Sequence, residues 1–382
     1  MKKLVFLGFV FCAATFAAEQ STVVVGLASN FSEVSTGSSN PYGGYFKDGV
    51  TLALKHSEAK LRARGIIITT QEFDYGTSDI KVLEATRKAI ASPAIAVLGY
   101  NYSSNALLAA PLHHESKLPM LTPSATANRL GSFGRYVHMA SFSNAFMGET
   151  LARVAKSKLN ASKAVVLPAA NCAYCSDLAE SFSSHFQKLG GSVVVNLPIL
   201  NDDTVFSDVI EKLKLQKFDV VFIPNQELTS ARLIAALSKA GVKVPFMGAD
   251  GWGNVGQEFF GILNDAKFSG FSTSHWHPDL KDKASLDFIA SYKASFGKMP
   301  NDTSVLAYDS MLLLVEAILK SKTLDREAVE NALNQMASFK GVTGKFVMAA
   351  NQPPRKSLVL LKTNNKKFQI VDSISPQTKG AL

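Results

Sequence analysis

Ser103 and Ser104 stand where an apolar run, residues 95–98, gives way to a helical pattern that reaches Glu115. The free backbone N–H groups of a helix start, with the positive end of its dipole, favour a carboxylate or another anion. A plain N-cap serine would occupy the same position without any ligand. Asp250 follows a second apolar run, residues 244–247, and lies between small residues. It can receive a cationic or N–H donor group, or it can bond its own backbone in a turn. An anion site on one element and a lone carboxylate on another would together suit a zwitterion.

Other reactive residue types give weaker patterns. Cys172 and Cys175 have the Cys-x-x-Cys spacing. In an oxidising compartment that spacing reads as a local disulfide, with a thioredoxin-like redox centre as the alternative. His275 and His277 flank Trp276 and would share a face in a strand, but two ligands make a poor metal site and a solvated strand or hinge is the better reading. His113 and His114 read as surface residues of a helix, and Met120 and Met247 as core. There is no Gly-x-Ser-x-Gly elbow, no His-Glu-x-x-His and no dinucleotide fingerprint, so an enzyme is not expected. No metal or cofactor is expected either.

The elements that must position these residues alternate regularly. Strand-like runs at 22–29, 65–70, 95–98 and 118–122 are separated by helical patterns, and a strand-like stretch at 136–139 follows. A second series repeats the order, with strands near 164–167, 192–195, 218–223 and 244–247. Three further helical patterns, 285–295, 304–320 and 325–336, precede strand-like segments at 342–347 and 357–362. Alternation of this kind predicts an α/β protein with parallel sheets covered by helices on both faces. Two series of similar length predict two similar doubly wound lobes. In open α/β sheets the ligand lies beyond the carboxyl ends of the strands. The exits that matter therefore hold Tyr42, then Tyr100 to Ser104, then Ser124 to Thr126, and in the second series Tyr174, Gln226, Asp250 and Trp252.

The chain opens with Lys2 and Lys3, an apolar run from 4 to 18, and small residues at its end, which reads as a secretory signal peptide over 1–18. Cys12 is a poor lipidation site because Phe11 precedes it. The signal predicts export to the periplasm. The net charge of +9 is scattered, so nucleic-acid binding is not expected.

At the strand exits the sequence resembles the type I periplasmic binding proteins, in the branched-chain amino-acid (Leu/Ile/Val) branch that serves ABC transporters. The resemblance rests on residues 42–49, 97–104, 120–126, 246–251 and 341–346 in that order and spacing. It implies two lobes joined by a three-strand hinge, with crossings near Ser141, Ser274 and Ala349. Lobe one would be 19–141 with 275–349, and lobe two 142–274 with 350–382. It implies that Ser103 binds the ligand carboxylate, that Ser124 and Ala125 offer backbone groups, and that Thr126 binds with them. Asp250 would take the α-ammonium. Tyr42 and Tyr174 would close over the ligand from opposite lobes, and Tyr100, Asn101 and Tyr102 would wall its side-chain pocket. Asn101 and Gln226 are polar where the family favours apolar or aromatic residues, and Trp252 would narrow the pocket. The implied partner is an inner-membrane permease, and the implied state a monomer. Short amides, urea or aromatic carboxylates are the alternative ligands, and a periplasmic sensor the alternative role.

Overall fold

The computed structural model describes residues 20–32, 42–76, 78–200, 205–253, 257–264, 266–349, 352–364 and 367–376. The expected signal peptide and Cys12 lie outside the described residues. The first series comprises β1 (Ser21–Ser29), α1 (Tyr42–Ala63), β2 (Ile66–Asp74), α2 (Asp79–Ala91), β3 (Ala94–Gly99), α3 (Ser103–Glu115), β4 (Met120–Thr122) and β5 (Val137–Met139). These strands form one parallel sheet in the order β2-β1-β3-β4-β5.

Each residue of β3 is buried, because both faces of a central parallel strand are covered. Ile95, Ala96 and Leu98 belong to the core under α1. Val97 belongs to the core under α2 and α3. Helix α1 also packs closely on a later helix, α10 (Asp302–Lys320). At that crossing a Cβ on Gly49 would fall 2.1 Å from the Ser304 carbonyl oxygen, so only glycine allows the approach.

The second series runs α4 (Asn144–Leu159), β6 (Lys163–Val166), α5 (Ala173–Lys188), β7 (Ser192–Asn196), α6 (Ser207–Lys214), β8 (Val220–Phe222), α7 (Glu227–Lys239), β9 (Phe246–Met247), α8 (Gln257–Leu263) and β10 (Ser269–Ser274). The chain then returns to the first core with α9 (Lys283–Phe296), α10 and α11 (Arg326–Gln335). A small antiparallel sheet follows, made of β11 (Ser338–Gly341), β12 (Gly344–Ala349) and β13 (Gln352–Lys356). Finally β14 (Leu358–Asn364) and β15 (Lys367–Ile374) join the second sheet, ordered β15-β14-β10-β9-β8-β6-β7.

The two α/β series agree with the sequence reading, and Met120 and Met247 are core residues as expected. Two features go beyond it. The second sheet is not wholly parallel, since β14 pairs antiparallel with β10 and β15 antiparallel with β14. The position 349/350 falls within the β12–β13 hairpin, and the chain passes to the seven-stranded sheet between Lys356 and Leu358.

One expectation is overturned. His113 is not on the surface but fully buried. It shares a face of α3 with Ala106, Ala109 and Ala110, at the spacing of an apolar stripe. Its Nδ1 bonds the Leu118 carbonyl at 2.9 Å and its Nε2 lies 3.2 Å from the Tyr100 hydroxyl. Burial lowers its pKa to about 4. The unfolded chain therefore binds this proton from about pH 6.5 downward, whereas the folded chain does so only near pH 4. Stability supplied by the neutral ring is present above that window and is lost as the pH falls through it. Melting curves at pH 7 and pH 5 test this. The wild type is expected to lose about 2 kcal/mol more than His113→Gln over that interval, and equal losses would contradict the assignment.

Candidate functional site

On the lobe-one side the site is built by the turn after β3. Gly99 has φ +151°, and a Cβ there would meet the Ala28 carbonyl oxygen at 2.1 Å. Tyr100 follows with φ +46°, which is costly for a residue with a side chain. The pair turns the Tyr100 ring downward into the core. There it stacks on Tyr75 at 5.8 Å and bonds Thr86 Oγ1 at 2.8 Å as well as His113. Burial pushes its hydroxyl well above the ordinary tyrosine range.

The same turn leaves Asn101, Tyr102 and Ser103 at the sheet edge. Thr122 Oγ1 donates to the Tyr100 carbonyl at 2.7 Å and accepts from Ala125 N–H at 3.2 Å, tying the exits of β3 and β4 together. Ser124 Oγ donates to the Asn101 carbonyl at 2.9 Å. Ser103, at the first position of α3, accepts from the N–H groups of Thr126 and Ala127, both at 3.2 Å. Two accepted bonds fix that oxygen while its own proton stays available. Thr126 is buried, and its side-chain hydroxyl makes no bond to the described residues.

On the lobe-two side three exits converge. Asn225, after β8, is fully buried; its Nδ2 donates to the Leu167 carbonyl at 2.9 Å and its Oδ1 accepts from Ala169 N–H at 2.7 Å. This amide clamps the segment after β6 that leads to Cys172. A disulfide joins Cys172 to Cys175, with Cα atoms 5.2 Å apart. Tyr174 lies inside that four-residue loop, at the start of α5. Its hydroxyl donates to Asp250 Oδ1 at 2.6 Å and accepts from Gly251 N–H at 3.1 Å. Burial, and then the Asp250 charge, hold the Tyr174 hydroxyl protonated far above its usual range. Ser104 Oγ accepts from Ala173 N–H at 3.4 Å. That contact brings the first turns of α3 and α5 together, so the serines of one series and Tyr174–Asp250 of the other form one site.

The second Asp250 oxygen accepts from His275 Nε2 at 3.0 Å. His275 is buried, and burial lowers its pKa below that of a free imidazole. The neutral ring therefore places its one proton on Nε2, leaving Nδ1 a buried acceptor with no partner among the described residues. The ring stacks on Phe142 with centroids 4.0 Å apart. No lysine or arginine pairs with Asp250 among the described residues. A carboxylate accepts about four hydrogen bonds, and two of these positions are used here. Asp302, partly buried in the first turn of α10, has its pKa raised to about 6 by burial and by the Asp250 charge. Two carboxylates thus make this part of the cleft electronegative.

The twelve residues expected to bind ligand fall into distinct groups. Asn101, Tyr102, Ser103, Ser124, Ala125, Thr126, Tyr174 and Asp250 lie in the connected turns just described. Ala125 is already engaged, its carbonyl accepting from Ser141 Oγ at 2.5 Å. Gln226 is partly buried at the N-cap of α7. The Tyr42 side chain lies outside the described residues. Two placements are corrected. Tyr100 faces the lobe-one core, because the left-handed turn at 99–100 inverts the direction an extended exit would give it. Trp252 is fully buried under lobe two, with Nε1 donating to the Ile223 carbonyl at 3.0 Å and its ring lying on Gly248.

His275, Asp302 and Asn225 were not recognised as parts of the site from sequence. Asn225 had a signal, a polar residue at the end of a continuous apolar strand. His275 and Asp302 reach the site by long-range packing and had none. Among the described residues, no group of three or more His, Cys, Asp or Glu gathers as a metal site would require. No described helix is long and apolar enough to cross a membrane.

Known proteins resemble this chain in sequence and fold. The chain is 24% identical over 341 residues to a leucine-, isoleucine-, valine-, threonine- and alanine-binding protein of Pseudomonas aeruginosa, covering 87% of each. Its fold matches that of LivJ from Streptococcus pneumoniae, a branched-chain amino acid transporter substrate-binding protein in complex with isoleucine, with TM-score 0.82, 23% identity, and coverage of 93% of this chain and 100% of that one. It also matches a solute-binding protein from R. palustris in complex with benzoate, with TM-score 0.78, 22% identity, and coverage of 93% of this chain and 97% of that one. The family model described as periplasmic binding protein matches residues 22–367, and the chain belongs to that family.

Proposed function

We propose that the protein is an exported solute-binding component of an ABC importer that holds an amino acid between its lobes. The observation that carries this reading is the Asp250 carboxylate, oriented by Tyr174 and His275, without a fixed cation, and linked through Ala173–Ser104 to the start of α3. The ligand's carboxylate would lie at Ser103 and Thr126, on the positive end of α3, and its α-ammonium on Asp250. Charge-assisted bonds at both ends are the strong kind, and they fix a zwitterion in one orientation. The relative that binds leucine, isoleucine, valine, threonine and alanine supports the amino-acid class. Benzoate, bound by one structural neighbour, has no donor to offer Asp250 and Asp302. Short amides would satisfy the donor requirement but leave the anion site unused.

The lobes we assign are 19–141 with 275–356, and 142–274 with 357–382. They place the third crossing after β13 rather than at Ala349, because β13 pairs with β12. Closure of the lobes on the ligand would present the loaded form to an inner-membrane permease. Export is assigned from residues 1–18, and the working state is a monomer.

Calorimetry of the mature chain against the common amino acids tests the reading. Asp250→Ala is expected to weaken binding by about 2 kcal/mol or more, because a buried ammonium loses its partner; unchanged affinity would remove Asp250 from the site. Tyr174→Phe keeps the ring and is expected to cost about 1 kcal/mol of binding through the lost orientation of Asp250.

The disulfide gives a separate prediction. Thiol reagents should fail to label the mature protein until it is reduced, and reduction should lower its stability by about 2 kcal/mol, the value for a four-residue loop. Labelling without reduction would sink the idea that this staple holds the Tyr174 turn.

A further inference from the structure

Asn101 lies in the three-residue turn between β3 and α3, two positions before Ser103, and is almost wholly buried. Three of its four polar groups are engaged. Its N–H donates to the Tyr75 hydroxyl at 3.4 Å, its carbonyl accepts from Ser124, and its Nδ2 donates to Ser29 Oγ at 2.9 Å. The Ser29 hydroxyl in turn donates to Asn30 Oδ1 at 3.4 Å. Because that hydroxyl has a single proton and gives it to Asn30, it can only accept from Asn101. In this arrangement the Asn101 Nδ2 faces Ser29 and its Oδ1 points away from that hydroxyl. The remaining atom, Oδ1, is a buried acceptor with no partner among the described residues. Ser29 and Asn30, at the exit of β1, are both buried too, so polar groups are buried together at the exits of β1 and β3.

A buried acceptor that meets an apolar ligand stays unsatisfied, whereas one that meets a donor gains a hydrogen bond, a difference of about 10- to 100-fold in affinity. A site built around such an acceptor discriminates strongly against ligands that lack the matching donor. We propose that the protein selects α-amino acids whose side chains carry a hydroxyl or carboxamide donor, with Asn101 Oδ1 as the atom that reads it. This rests on the amino-acid reading above, which places the ligand's main-chain carboxylate at Ser103 in the same turn. Ser29 is a positioning residue, since it acts through the Asn101 amide.

Calorimetry with serine, threonine, asparagine and glutamine against leucine, isoleucine and valine tests the proposal on the mature chain. The wild type is expected to bind at least one of the first group about 10- to 100-fold more tightly than leucine. Asn101→Leu, which is nearly isosteric, is expected to reverse that order. Ser29→Ala keeps the acceptor but frees the amide, so it should narrow the ratio without reversing it; this variant decides the matter if Asn101→Leu fails to fold. A wild type that prefers leucine, isoleucine or valine, or an unchanged ratio in the variants, would overturn the inference and leave the amino-acid reading standing. Failure of every α-amino acid to bind would overturn both.

Discussion

A carboxylate with which no lysine or arginine pairs among the described residues governs how this molecule is built around its cleft. Removing such a charge from water is expensive unless hydrogen bonds replace the solvent. Asp250 obtains them from two donors that come from distant parts of the chain, the Tyr174 hydroxyl and His275 Nε2. Each donor imposes further order. Tyr174 must be held at the start of α5, which the Cys172–Cys175 disulfide and the Asn225 clamp accomplish. His275 must remain neutral, which its burial against Phe142 accomplishes. The remaining acceptor capacity of Asp250 is what we propose the ligand uses.

His275 also ties the site to the segments that link the two sheets. It directly follows β10, and Phe142, on which it stacks, lies in the passage from β5 to α4. The third passage begins at Lys356, whose side chain is fully buried. Its ammonium donates to the Ala140 carbonyl at 3.4 Å and lies 4.4 Å above the Phe346 ring. Burial lowers its pKa to about 7, and the nearby Asp309 charge opposes that shift. The Lys356 charge also helps to keep His275 neutral. The three connecting segments are thus coupled by a stacked ring pair, a buried ammonium and one hydrogen bond. A change in charge at Asp250 is felt first by His275, one residue beyond the end of β10.

The sequence carried most of the alternation of strands and helices, because buried parallel strands are short unbroken apolar runs and covering helices have a different period; α8, β10, β13 and β15, which lack such runs or lie near the chain's end, were not legible. It also carried the strand exits, where Ser103, Thr126 and Asp250 are found. It failed where backbone handedness decides direction. Tyr100 and Trp252 stand at exits, as the pocket's aromatics should, yet the turn at Gly99–Tyr100 and the glycine under the indole send both rings into the cores. It failed also where distant segments meet. Nothing near His275 or Asp302 in the chain indicates Asp250, because their approach is produced by the packing of whole lobes. His113 was legible and misread: its spacing from Ala106 and Ala109 marks a buried face, but histidine is polar enough to suggest water.

The central claim is that Asp250 is the seat of the ligand's ammonium, opposite an anion site at the start of α3. A crystal structure of the mature chain with its tightest-binding amino acid tests it most directly. The account predicts the ligand's nitrogen within hydrogen-bond distance of Asp250, its carboxylate at Ser103 and Thr126, and the Tyr174 and His275 bonds to Asp250 retained. A ligand bound with its carboxylate elsewhere, or with Asp250 touching only Tyr174 and His275, would contradict it.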